Sequence, residues 1–142
     1  MISLLLELIG YPPLVMSFES IDGLDHVISV FEERTGWGSV GFSRDEGLFG
    51  RRPVFQSLKE LAQSYFDPYV DKSGCIHSFQ VAHLDETRSD WRYGRGNIWA
   101  AENFLFKIKH EPIKIPRSRF LQMKKRYLKH GSLPAGHDPR WW

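Results

Sequence analysis

Ile2, Leu5, Leu6 and Ile9 recur at helical spacing, and Gly10 followed by Pro12 and Pro13 stops the helix that this spacing predicts. Residues 14–18 then read as a strand and residues 25–33 as a second. Val27 and Phe31 fall on one face of the second strand and Ile28 and Val30 on the other, the pattern of a strand covered on both sides. Arg34, Thr35 and Gly36 supply a turn, so residues 37–42 are expected to return as the partner strand of a hairpin.

Beyond a charged, Gly-rich loop at residues 43–52, Ser57 and Glu60 form a capping box. Leu58, Leu61, Ala62 and Tyr65 are the buried stripe of the helix behind it. Turns at Asp67-Pro68 and residues 71–74 precede a strand over residues 75–84. Residues 85–96 are polar and read as a loop, with Trp91 and Tyr93 pinned back to the body. Asn97 caps a helix that aligns Ile98, Ala101, Leu105 and Ile108 and ends before Pro112. The last helix, residues 117–130, places Phe120, Leu121, Tyr127 and Leu128 on one side and stops at Gly131; residues 132–142 read as a loose tail. These elements predict an α+β fold, an antiparallel sheet with helices packed against it. Residues 1–110 form one domain, and residues 111–142 a basic C-terminal helix and tail.

Composition narrows the class. With 42% hydrophobic and 25% charged residues in a chain of 142, a disordered tail, a collagen-like fibre and a disulfide scaffold are excluded. Cys75 is the single cysteine, so no intrachain disulfide forms, which fits a reducing compartment. The apolar start lacks a basic leader region and a small-residue cleavage pattern, and Glu7 interrupts it. No apolar run reaches the roughly 18 residues of a membrane span. The chain is therefore expected to be cytoplasmic, with no membrane partner.

The net charge of +2 is unevenly placed. Residues 107–142 hold ten Lys or Arg against Glu111 and Asp138, a local +8, and residues 1–106 hold nine against fifteen, a local −6. Either the basic end docks on its own acidic body or it meets an external polyanion.

Few residue patterns point to chemistry by themselves. On a strand, Cys75, His77, Phe79, Val81 and His83 share one face, but collinear ligands about 6 Å apart make a poor tetrahedral cage. No metal is expected, and Cys75 reads as an inert, partly buried thiol. The Gly-rich segments 36–38, 47–50 and 93–96 lack the spacing of phosphate-binding loops, so no cofactor is expected either.

The order helix, Gly-Tyr-Pro-Pro turn, strand, then Asp25-His26-Val27 opening a strand and Gly36-Trp37 opening the next, resembles the central part of transglutaminase-like domains of the papain-like cysteine-peptidase fold. The likeness covers roughly residues 4–45. In that family a Cys at a helix N-terminus is activated by a His that opens the following strand, and an acid orients the ring. The resemblance therefore implies that His26 is the remnant base and Trp37 the aromatic wall. It also implies that the nucleophile belongs upstream of Met1, so that the core is N-terminally incomplete and the chain as given is inactive, a pseudo-enzyme. A longer active form would act as a thiol peptidase, amidase or acyl transferase. Gly41 stands where the family's acid is usual. Hairpin geometry places His26 opposite Phe42 or Ser43, so that Ser43 or Asp45 becomes the orienting group.

A second reading is a non-enzymatic binding module. Arg117, Arg119, Lys124, Lys125, Arg126 and Lys129 surround an apolar stripe, with Trp141 and Trp142 behind, a composition suited to nucleic acid or another polyanion. The short first helix, with Leu4, Leu5, Leu6, Leu8 and Ile9, offers a surface for self-association.

Overall fold

The structure, a computed structural model, describes residues 1–94 and 99–142. Helix α1 (Ile2–Leu8) begins without a side-chain cap, and Pro12 and Pro13 lead from it into β1 (Leu14–Ser20). Strands β2 (His26–Glu33) and β3 (Gly36–Val40) form the expected hairpin, with Glu32 opposite Trp37. Gly36 closes it at φ +135°, where a Cβ would come within 2.5 Å of the Phe55 carbonyl oxygen. Only glycine fits that position.

The predicted loop at residues 43–52 contains a 3-10 turn (Glu46–Leu48) and leads into a strand the pattern does not show, β4 (Arg51–Phe55). Arg51, Arg52 and Pro53 hide it, because charge and proline argue against a central strand. β4 is an edge strand, where Pro53 and exposed Arg52 are tolerated, and buried Arg51 is held by backbone carbonyls. Next come α2 (Leu58–Gln63), α3 (Phe66–Tyr69), β5 (Ile76–His83), a 3-10 turn (Leu84–Thr87) and α4 (Trp99–Lys107). The two-residue β6 (Glu111–Pro112) and α5 (Arg117–His130) follow. The expected cap Asn97 and stripe residue Ile98 lie outside the described residues.

The fold is α+β. Its sheet has the order β4-β3-β2-β1-β5-β6, and every neighbouring pair runs antiparallel. Side chains alternate across it. Met16, Phe18, Ile28, Val30 and Phe79 face a core closed by Leu61, Ala62, Tyr65 and Phe66 from α2, α3 and their junction, and by Met123 from α5. Val15 and Ala82 face the other way, toward Leu84, Leu105 and partly buried Trp91. Helix α1 lies on this second side, where Ser3 Oγ meets Ser29 Oγ at 2.8 Å. Its Leu5, Leu8 and Ile9 are exposed.

A division at residue 110 does not divide the core, since Ile113, Met123, Leu133 and Trp141 belong to the same buried cluster as Phe18 and Tyr65. Residues 132–142 are not a loose tail. The Arg52 amide donates to the Arg140 carbonyl at 2.9 Å, and Trp142 Nε1 donates to the Ser39 carbonyl at 3.2 Å, so this segment covers the β4 edge. No helix of the described residues is long and apolar enough to cross a membrane.

Candidate functional site

His26 opens β2 opposite Phe18. Its ring stacks on Phe18 at 6.3 Å between centroids and lies 6.4 Å from Tyr65 and 6.2 Å from Tyr69. The helices explain the two phenols. Ser57 Oγ accepts from the Glu60 amide at 3.1 Å, and the Glu60 carboxylate accepts from the Gln56 amide at 2.9 Å, which fixes α2 and delivers Tyr65 and then Tyr69 to the imidazole.

Burial lowers the His26 pKa below its ordinary 6.5; a hydrogen bond to the Leu48 backbone opposes this in part, and the nearby charge of Arg51 adds a smaller lowering. The ring is therefore neutral at pH 7, and its buried Nε2 has no hydrogen-bond partner. His26 lines a cavity of about 310 Å³ together with Ser43, Asp45, Tyr69, Asp71 and Tyr127. Burial and the carboxylates of Asp22, Asp25 and Asp71 push the Tyr69 phenol up to about 12, so it too remains protonated.

Ser43 and Asp45 thus share a cavity with His26, but neither orients it. Asp45 accepts from Ser132 Oγ at 2.9 Å and from Arg44 at 3.3 Å, and Ser43 Oγ accepts the Asp45 amide at 3.3 Å. β3 ends its pairing at Val40, so the chain leaves the sheet before Ser43 could come opposite His26 as a strand partner. A Cβ on Gly41 would stand 2.7 Å from Ile28 Cγ2, so an acid at that position would displace Ile28. Trp37 is not a wall of the cavity. It pairs with Glu32 and Phe55 at the far end of β3.

The sheet also separates His26 from α1. His26 shares a face with Ile28 and Val30, whereas Ser29, the α1 contact, projects to the opposite face. Val27, Ile28 and Ser29 of β2 line the cavity beside Met1 and Ser3, and His26 does not. The pairing of helix start and imidazole that the resemblance implies is therefore not made by these two elements.

Cys75 is buried one residue before β5, which begins at Ile76. A bulge shifts the register between Glu19 and Ser20, so the alternation through Cys75, His77 and Phe79 is broken. Burial and the charges of Asp22 and Asp71 push the thiol pKa up, which disfavours the thiolate. Among the described residues no three His, Cys, Asp or Glu side chains form a metal-binding group.

Two constellations have no local signature in the sequence. His110 Nε2 lies 3.3 Å from Ser17 Oγ, and its Nδ1 lies 2.9 Å from the Ile108 carbonyl and 3.5 Å from Glu19. The set has the residue types of a nucleophile, base and orienter, but Ser17 sits inside the ladder between Val27 and Gln80, with its side chain buried. It works as a latch holding the α4–β6 connection to the sheet. The other is Arg51, fully buried, with its guanidinium 4.0 Å from the Tyr65 ring centre and 4.1 Å from that of Trp141. Its N–H groups donate to the carbonyls of Gly47 and Phe49 at 2.7 Å and of Gly50 at 3.2 Å. Both depend on partners far away in the chain, which only pairing across the sheet could reveal.

The basic helix divides in the same way. Arg119 pairs with Asp67, with Nε 3.0 Å from Oδ1, and Arg126 donates to the Gly131 carbonyl at 2.7 Å. Arg117, Lys124, Lys125 and Lys129 take no part in the ion pairs of the described residues. No protein-family model matches this chain, and no curated protein matches it in a sequence comparison.

Proposed function

We propose that this chain is a binding domain of transglutaminase-like ancestry that does not carry out thiol acyl transfer with the residues in hand. The observation that carries this reading is the surroundings of His26. The neutral imidazole, its Nε2 buried and unpartnered, borders a cavity lined by Ser43, Asp45, Tyr69 and Tyr127, with no thiol among them. Acyl transfer through sulfur needs a thiolate beside the base. The one thiol of the sequence, Cys75, is held toward its protonated form. The ancestry rests on the order of α1, β1, β2 and β3 alone, since the sheet separates His26 from α1, and the cavity presents hydroxyl and carboxylate groups of Ser43, Asp45, Tyr69 and Tyr127 to a small polar ligand.

Alkylation of Cys75 in the folded protein tests this directly. Iodoacetamide is expected to label it more slowly than a free cysteine thiol at neutral pH, with the same rate in His26→Gln. Rapid labelling that slows in His26→Gln would show an activated thiol–imidazole pair and overturn the proposal. So would incorporation of a labelled amine into a glutamine peptide.

A further inference from the structure

We infer that the outward face of α5 docks on an anionic lipid surface. The helix Arg117–His130 contains no acidic residue. Its inner side is fixed by buried Met123, with half-buried Phe120 and Tyr127 beside it. Arg117, Leu121, Lys125 and Leu128 follow one another at spacings of four, four and three, so they share the side that points away from the protein. Leu121 is 52% exposed and Leu128 68%. Lys124 flanks this stripe on one side and Lys129 on the other.

Two aliphatic side chains between rows of cations are the arrangement of a helix lying in a membrane interface. The leucines enter the acyl boundary while the lysine and arginine stems reach back to anionic headgroups. A nucleic acid would use the same cations but asks for exposed rings on which bases can stack. Here the α5 rings turn inward, and the exposed apolar groups have no π face. Arg119 and Arg126, which the charge pattern alone counts with the others, are committed to Asp67 and to the helix end. Charge complementarity therefore rests on Arg117, Lys124, Lys125 and Lys129. Absence of a spanning helix has no bearing on a contact of this kind.

The test is cosedimentation with vesicles of phosphatidylcholine and phosphatidylglycerol in equal parts, against vesicles of phosphatidylcholine alone. The protein is expected to pellet with the anionic vesicles only, and less so as salt is added. The pair Leu121→Ser with Leu128→Ser and the pair Lys125→Glu with Lys129→Glu should each weaken partitioning about tenfold. All four residues are exposed, so thermal melting should be unchanged in both variants. No pelleting at low salt would overturn the inference. Undiminished binding by the leucine variant would reduce it to counterion attraction and overturn it as well. Tighter binding to a single-stranded RNA oligonucleotide at the same salt would assign the face to nucleic acid instead. A change in the sedimentation of the lipid-free protein caused by the leucine variant would assign it to a second copy.

Discussion

The guanidinium of Arg51 lies 4.1 Å from the centre of the Trp141 ring, joining an edge strand to a residue ninety positions later in the chain. Tyr65 closes the other side at 4.0 Å and lies tilted 6.4 Å from His26, so one phenol belongs both to this cage and to the candidate site. Burial pulls the Arg51 pKa down to about 10, still protonated at neutral pH, and the positive charge in turn helps keep His26 neutral. The carbonyls of Gly47, Phe49 and Gly50 converge on this cation. That is the reverse of a phosphate loop, which aims N–H groups at an anion.

Arg51 and Trp141 should therefore behave as a coupled pair. Arg51→Met takes the donor from the Gly47 carbonyl and leaves those of Phe49 and Gly50 with only the Tyr65 hydroxyl and the Trp142 amide, and is expected to cost about 3 kcal/mol of stability. Trp141→Ala removes a core ring and should cost about 4 kcal/mol. Because each variant removes the same cation–ring contact, the double variant should fall short of the sum by about 1 kcal/mol. Denaturant midpoints of the four proteins measure this, and strict additivity would show that the stack contributes nothing.

The Ser57 cap is a smaller, local case. Its Oγ satisfies the Glu60 amide at the start of α2, and nothing else nearby replaces that acceptor. Ser57→Ala should lose about 1 kcal/mol. In a chain of this size that corresponds to a melting temperature lower by roughly 3 °C. Ser57→Asp, which restores an acceptor and suits the helix dipole, should recover most of it.

Much of this fold is legible from periodicity. α1, the β2–β3 hairpin, the capped α2 and the full length of α5 follow from spacing, caps and turn residues, because each is decided by neighbours within a few positions. β4 and the C-terminal cover are not legible. Their stabilising partners are Trp37, Ser39, Arg140 and one another, brought together only by the assembled sheet. The stripe of α5 shows the same limit. Periodicity groups Leu121 and Leu128 with Phe120 and Tyr127, but only the packed structure turns Met123 inward and leaves the two leucines out.

The site is half legible for a related reason. His26 at the mouth of a strand and Ser43 and Asp45 after the hairpin do line one cavity, as alternation and turn length allow. What sequence cannot supply is where the hairpin stops pairing. Asp45 is drawn to Ser132, 87 positions away, and so is lost to His26. Asp45→Asn should therefore leave the His26 titration where it is, as followed by the ring-proton shifts in NMR. A change of more than about half a pKa unit would mean that the carboxylate acts on the ring.

The buried imidazole also makes stability depend on pH. In the unfolded chain His26 titrates near 6.5, and in the folded protein burial, with Arg51 adding to it, holds the value lower. Between the two values the unfolded state binds the proton and the folded state does not, so stability falls as pH drops through this window. Above about 6.5 the residue contributes no slope, because it is neutral in both states. Below the folded value the loss levels off. His26→Phe keeps a flat ring against Phe18, Tyr65 and Tyr69 and removes the titration. Denaturation midpoints at about pH 7.5 and about pH 5.5 should differ less for this variant than for the parent protein. Equal differences would show that His26 is solvated enough to take up its proton while folded.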